Sequence, residues 1–505
     1  MSVKIFSCLP FGLEGKLVEV EVDILRGMPA FDIVGLADTA VQEAKERVRS
    51  AIKNSGFEYP QQKKIINLAP ADLKKHGPQF DLPIAVGLLL AAGEVSQPPD
   101  LRNVLFAGEL ALNGDVRPVR GALTMSFFAA RNNIRYLVVP GANFNEASLI
   151  KNVRIIPAAN LKELIQNLDN LDALSSPYNT PARPAPHRLD QNTAADFDCI
   201  IGQEHAKRAL IIAVSGHHHI LLHGPPGVGK TMLARSLPSL MPDLDESEAL
   251  EVTQIYSLTG LLDENILINQ RPFRRIHQGS SLVSLIGGGS FLKPGEISLA
   301  HRGVLFLDEI AEFPRAHLES LRQPLEEKEI TISRARGSVR YPADFMLVAG
   351  MNPCPCGFSG DPIKECSCRP HQVLNYRRKI SGPVLDRIDL AVEVIRQPIG
   401  GAHPAGTGIS TAAARAMIRT AQKLQAERHG GSPRPNSRLS QPQLKKFCTL
   451  NTDCADLLKE AEEKFSLSAR SYFRVIKVSR TIADLNAHNH IQIEDLAEAL
   501  QYRMK

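Results

Sequence analysis

The chemistry of this chain is densest where Gly224, Pro225, Pro226, Gly227, Val228, Gly229, Lys230 and Thr231 follow one another, a match to G-x-x-x-x-G-K-[ST]. A loop of this kind cradles phosphate. Gly224, Gly227 and Gly229 permit backbone conformations that turn successive N–H groups onto phosphate oxygens. A helix starting behind them adds the positive end of its dipole. Lys230 then reaches the β- and γ-phosphates and the Thr231 hydroxyl takes a Mg²⁺ position, so ATP with Mg²⁺ is the expected ligand pair. The apolar strand expected over 220–222 and the helix expected over 232–237 give the context that separates this motif from a chance glycine turn.

Downstream, residues 302–309 read Arg-Gly-Val-Leu-Phe-Leu-Asp-Glu. An apolar run ending in two acids is a buried parallel strand that delivers carboxylates to the carboxyl edge of a sheet. Behind a phosphate loop, Asp308 is expected to hold Mg²⁺ and Glu309 to polarise the attacking water as general base. A further apolar strand over 345–349 leads to Asn352, whose amide is placed to sense the γ-phosphate or the water. Arg387 offers a guanidinium to the γ-phosphate of a neighbouring subunit, with an ion pair to Asp386 or Asp389 as the plainer alternative. In the helical tail, Arg470, with Arg474 as second choice, follows a Ser468 cap and is the candidate second phosphate sensor.

Two other clusters carry chemistry. Cys354, Cys356, Cys366 and Cys368 put four of the eight cysteines within 15 residues. Thiolates at that density suit a structural, tetrahedral Zn²⁺, although C-x-C is tighter than the usual spacing and free thiols are the alternative. Arg334, Arg336 and Arg340 flank Gly337 in an alternating run that reads as a hairpin, with no acid between Thr331 and Tyr341. Its matching partner is a phosphate backbone, which makes DNA the expected ligand; a solvated surface hairpin is the alternative. His217, His218 and His219 sit at a helix-to-strand junction and read as packing residues rather than metal ligands.

Positioning all this takes more than one core, because 505 residues exceed what a single domain packs. Hydrophobic residues at 43% and charged residues at 22% are ordinary for a soluble globular chain. The net charge of +5 tolerates a nucleic-acid partner without arguing for one. The apolar stretch 82–93 contains Pro83 and falls short of the roughly 20 residues that span a bilayer. With no secretory h-region at the start, a cytoplasmic location is expected. The expected fold class is multidomain α/β. Residues 1–168 form an α/β unit, with strands over 17–24, 64–68 and 136–140 and an amphipathic helix over 38–54. A Pro-rich linker covers 169–195, the nucleotide domain 196–397, and an all-α region 398–505, opening on a Pro/Gly hinge.

The segments Leu68-Ala-Pro-Ala-Asp72, Gly77-Pro78-Gln79-Phe80-Asp81 and Gly108-Glu109 through Val119 resemble the proteolytic domain of Lon-type proteases, which use a Ser–Lys pair. Gln79 stands at the Ser position and Thr124 near the Lys position. Peptidase activity is therefore not expected, and the domain reads as a degenerate binding, ring-forming or scaffold module. Over nearly the whole length, Asp32-Ile-Val-Gly-Leu36, Gly287-Gly-Gly-Ser290, Pro294-Gly-Glu-Ile-Ser-Leu-Ala-His301 and Asn352-Pro-Cys-Pro-Cys-Gly357 resemble the magnesium-chelatase-like AAA+ family. That resemblance implies Ile200 and Ile201 beside the adenine, a helical lid, and a pore-lining role for the hairpin at Gly337. It also implies a homo-oligomer, a hexameric ring, that hydrolyses ATP between subunits and moves along single-stranded or branched DNA. The implied work is helicase or branch migration during integration of DNA by homologous recombination in natural transformation, with recombination proteins as further partners and no membrane. A chelatase-type motor inserting Mg²⁺ into a porphyrin and a non-motor DNA-binding module are the competing classes. One departure stands out: Arg275-Ile276-His277-Gln278, where the family tends to carry Ala-Pro-His-His.

Overall fold

The first third of the chain builds a seven-stranded mixed sheet. Its strands, with two short ones outside it, are β1 (Val3–Phe11), β2 (Glu14–Leu25), β3 (Ala30–Val34), β4 (Lys63–Ala69), β5 (Val104–Phe106), β6 (Glu109–Leu110), β7 (Val116–Arg117), β8 (Tyr136–Pro140) and β9 (Arg154–Ala158). The order in the sheet is β3-β4-β2-β1-β5-β8-β9, while β6 and β7 form a separate ribbon. Val18, Val20 and Val22 of β2 are buried, as the period-2 pattern requires. The apolar stretch that is too short for a membrane is the helix Asp81–Ala92, buried along most of its length in this core. The amphipathic helix expected over 38–54 forms as two segments, Thr39–Gln42 and Ala44–Asn54, with Asp38 accepting from the Val41 N–H at its start.

The computed structural model describes residues 2–95, 100–174, 197–262, 267–289, 292–334, 337–397, 408–432 and 434–503. Most of the expected linker, the hinge residues 398–407, and Arg336 lie outside the described residues.

The second sheet contains β10 (Ile220–His223), β11 (Phe273–Ile276), β14 (Val304–Leu307), β17 (Met346–Met351) and β18 (Leu390–Glu393), with the short pairs β12 (Gly287–Gly288) with β13 (Lys293–Pro294) and β15 (Glu329–Arg334) with β16 (Gly337–Pro342) branching from it. The five strands are all parallel, in the order β11-β14-β17-β10-β18. Both faces are covered at the centre, so β14 and β17 are buried apolar runs, whereas the edge strand β11, Phe-Arg-Arg-Ile, is only partly buried. Parallel pairing sends every strand's carboxyl end to one edge, where the phosphate loop, Asp308 and Asn352 emerge.

Five C-terminal helices, Thr411–Arg428, Gln441–Phe447, Thr452–Phe465, Ala469–Leu485 and Ile493–Gln501, make up the region expected to be all-α. Ser468 accepts from the Ser471 N–H and caps the fourth. They share one apolar core with the sheet, from Phe197 and Ile220 through Val475 and Tyr502. His218 joins the two parts: one ring nitrogen lies 3.0 Å from Asp389 and the other 2.8 Å from Thr481. His219 Nδ1 accepts from the Leu347 N–H at 3.0 Å, and burial pushes this imidazole down to about 3, so it stays neutral. The three histidines are packing residues.

The first sheet's domain is docked on the second through the helix Glu246–Thr259. Gln254 donates to the Leu13 carbonyl at 2.8 Å and to the Thr124 hydroxyl at 3.2 Å, and Ser257 donates to Glu146. The β1–β2 turn presses on β16, where any side chain at Gly12 would strike Val339.

Candidate nucleotide site

The phosphate loop leaves β10 and enters the helix Lys230–Leu240. Gly227 and Gly229 sit at φ +78° and +97°, the left-handed region that glycine reaches without strain. A side chain at Gly224 would meet the Val394 carbonyl at 2.2 Å, so the loop lies directly against the end of β18. Lys230 is buried inside the loop. Its Nζ donates to the carbonyls of Gly224 and Pro225, at 2.6 and 2.8 Å, and to Asn352 Oδ1 at 3.0 Å. Burial pushes its pKa down to about 8, against the pull of Asp308 and Glu309.

Asn352 lies between base and cradle. Its Oδ1 takes the Lys230 ammonium, and its Nδ2 donates to Glu309 Oε1 at 3.4 Å. An ammonium needs an acceptor and a carboxylate needs a donor, which fixes the amide's orientation. Glu309 itself stands at φ +55°, turned out of the end of β14 into a short 3₁₀ turn. Asp308 Oδ2 accepts from the Thr231 hydroxyl at 3.3 Å and from Arg275 Nη2 at 2.7 Å. A hydroxyl and a carboxylate together at the start of the loop helix are the hard oxygen donors that suit Mg²⁺ beside phosphates.

Three family models match. The one described as magnesium chelatase, subunit ChlI, covers residues 196–400; a second ChlI model covers 20–143; the ChlI C-terminal model covers 408–503. Competence protein ComM of Haemophilus influenzae is 42% identical over 503 residues, 99% of this chain and 97% of that protein. The chain belongs to the magnesium-chelatase-like AAA+ family. Protein YifB of Escherichia coli is also 42% identical, across 97% of this chain and 95% of its own length. Lon protease 2 of Bacillus subtilis is 27% identical over 239 residues, 41% of each chain. The AAA+ family supports ATP and Mg²⁺ as ligands of the loop.

In this member of the magnesium-chelatase-like family the candidate arginines gather elsewhere. Arg387 is only 10% exposed and donates to the Pro383 carbonyl and to Glu326. Arg470, 60% exposed, lies 3.9 Å from the same Glu326. The ion-pair partner of Arg387 is thus Glu326 rather than Asp386 or Asp389. Arg474 is a brace: it donates to the carbonyls of Leu385 and Ile388 and to Ser471 Oγ. Ile200 is buried in the core, whereas Ile201 is 68% exposed and open to a ligand. Two residues of the site escape a linear reading. Gln203, a non-glycine at φ +59°, donates to the carbonyls of Val228 and Ile395 and pins the loop to β18. Arg275 is the other: the sequence marks it as a departure from the family pattern, but nothing in the run Phe-Arg-Arg-Ile announces its contact with Asp308.

Cys354, Cys356, Cys366 and Cys368 bring their sulfurs within 4.8 Å of one another, with close pairs at 3.3 and 3.6 Å. A tetrahedral ZnS₄ unit has edges of about 3.8 Å, given Zn–S bonds of ~2.3 Å. The set therefore fits such an ion with little adjustment. Backbone N–H groups of Ser359 and Cys356 donate to the sulfurs of Cys354 and Cys368. The knuckle follows Asn352 directly, and a side chain at Gly357 would strike Pro226 of the phosphate loop at 2.7 Å. The hairpin around Gly337 forms as β15 and β16. Arg334 is exposed beside Gly288, and Arg340 is exposed with Glu329 at 3.5 Å. At the Lon-like positions, Gln79 is buried with its amide on the His76 carbonyl, and Thr124 is spent on the interdomain bond to Gln254. Neither offers a nucleophile or an amine base.

Proposed function

We propose that this protein is an ATP-driven, ring-forming motor that moves on single-stranded or branched DNA and promotes its integration by homologous recombination, as in natural transformation. The observation that carries the reading is the common origin of the catalytic groups and the basic hairpin. Glu309 lies just beyond β14, Asn352 follows β17, and the hairpin β15–β16 is inserted between those two neighbouring strands. A change at the γ-phosphate has a short mechanical route to Arg334 and Arg340. The similarity to competence protein ComM supports the competence setting.

Lys230 neutralises phosphate charge, and Glu309, oriented by Asn352, takes the proton of the attacking water. Thr231 and Asp308 hold Mg²⁺, which neutralises charge on the phosphate oxygens when bound. Ile201 packs against the base. Arg387 is held at Glu326 rather than at this cluster, which supports its delivery to a neighbouring subunit's nucleotide in a hexameric ring, while Arg470, beside the same Glu326, is the second phosphate sensor of the helical lid. The test is unwinding of forked DNA and DNA-stimulated ATP turnover by the full chain, with porphyrin metallation assayed alongside. The chelatase reading is favoured by the names of the family models. Metallation without unwinding would establish it instead.

Delivery across subunits has its own test. Rings mixed from Arg387→Ala and Glu309→Gln chains contain some interfaces with an intact base and an intact arginine. They recover measurable ATP turnover that neither variant shows alone. Verified mixed rings that stay inactive place Arg387 within one subunit.

The cysteine knuckle is read as a structural Zn²⁺ site that also supports the phosphate loop through Gly357 and Pro226. Metal analysis of chain purified without chelator is expected to give about one zinc per chain. Stripping the metal lowers the melting temperature and weakens ATP binding several-fold. Metal-free protein with unchanged melting and ATP affinity rejects the site.

A further inference from the structure

Arg275 is a charged side chain at the nucleotide site for which the reading above has no use. It lies on β11, paired in register with Phe306 of β14, one residue pair before Ile276 with Leu307. Its predecessor Arg274 points the other way, as strand alternation requires, and is held by Glu296 at 2.6 and 2.8 Å. Arg275 instead turns over the carboxyl edge, where its Nη2 donates to Asp308 Oδ2 at 2.7 Å. That oxygen also accepts the Thr231 hydroxyl. Among the described residues Arg275 Nε is buried with no hydrogen-bond partner, so the carboxylate is this guanidinium's anchor.

We infer that Arg275 is a positioning residue that competes with Mg²⁺ for Asp308 and thereby sets how much metal nucleotide binding requires. This rests on the reading of Asp308 and Thr231 as the metal-holding pair. The physical case is one of shared lone pairs and like charge. A carboxylate oxygen engaged by a charged donor and a hydroxyl has little acceptor capacity left for a metal or its waters. Mg²⁺ tolerates only near-ideal octahedral geometry and gives up water reluctantly, so the guanidinium must withdraw from Oδ2 before the site accepts it. The same positive charge, only 31% exposed, also faces arriving phosphates and assists metal-free nucleotide. Removing it therefore acts in opposite directions on two measurements.

The test is equilibrium binding of a fluorescent ATP analogue to the full chain, titrated with Mg²⁺ and repeated in chelator. Arg275→Ala is expected to lower the Mg²⁺ midpoint about 10-fold, the order of one charge-assisted hydrogen bond, while weakening binding in chelator. Arg275→Lys keeps the charge and stays close to wild type. If Arg275→Ala does not fold, Arg275→Gln carries the same expectation. An unchanged midpoint in a folded variant overturns the inference, as does failure of both neutral variants to fold, which would make Arg275 a brace. Loss in both titrations together also overturns it. A wild-type chain that binds no analogue overturns the nucleotide reading itself, an outcome distinct from these.

Discussion

Glu309→Gln protein is expected to bind ATP with near-wild-type affinity and to turn it over at least ~10²-fold more slowly, the span that a positioned general base contributes. The substitution keeps the side-chain oxygen that accepts from Asn352 Nδ2, so the bridge to Lys230 persists while the water loses its base. Lys230→Ala separates the two functions from the other side. It removes a buried ammonium with three acceptors around it and the main positive charge facing the phosphates. ATP affinity should fall by about 10- to 100-fold, because hydrogen bonds to charged groups are each worth roughly 1.5–3 kcal/mol. Binding and turnover measured on the same preparations distinguish these patterns. Substantial turnover in both variants removes the assignment of the site.

The second large effect belongs to the hairpin. Substituting Arg334, Arg336 and Arg340 by Ala should lower DNA affinity more than 10-fold at moderate salt and abolish unwinding, while turnover without DNA changes less than about two-fold. The salt dependence of binding should flatten as well, since each lost phosphate contact removes close to 0.7–0.9 from the logarithmic slope. Arg334 carries most of this expectation among the described residues. Arg340 shares its charge with Glu329 at 3.5 Å and, being 74% exposed, contributes little to stability through that pair. Wild-type unwinding by the triple variant transfers the DNA contact to another surface, with the N-terminal sheet's domain the next to test.

The docking of that domain bears on both experiments. The β1–β2 turn rests on Val339 of β16, and Gln254 ties Leu13 and Thr124 to the helix Glu246–Thr259. Thr124 of the N-terminal domain is engaged by Gln254 of that helix. The hairpin β15–β16 and the N-terminal domain are therefore in direct contact, so a substitution in the hairpin is read alongside one at the β1–β2 turn.

Sequence by itself determined what depends on neighbours along the chain. The phosphate loop, the strand that ends in Asp308 and Glu309, the hairpin at Gly337 and the C-terminal helices are written in local spacing: glycines at fixed offsets, period-2 and period-3.6 apolar patterns, a Ser cap. The four cysteines were legible for the same reason, being within one short segment. Tertiary structure alone decided which distant groups meet. Asn352 as the link between Lys230 and Glu309 depends on β17 lying between β14 and β10, an order that no local pattern encodes. Arg275 reaches Asp308 because β11 is the outer neighbour of β14, and Arg387 and Arg470 share Glu326 because the helical region packs on the sheet's own core. Side-chain pairings across strands and domains follow from sheet order and shared burial, which are properties of the folded whole and leave no periodic trace in the chain.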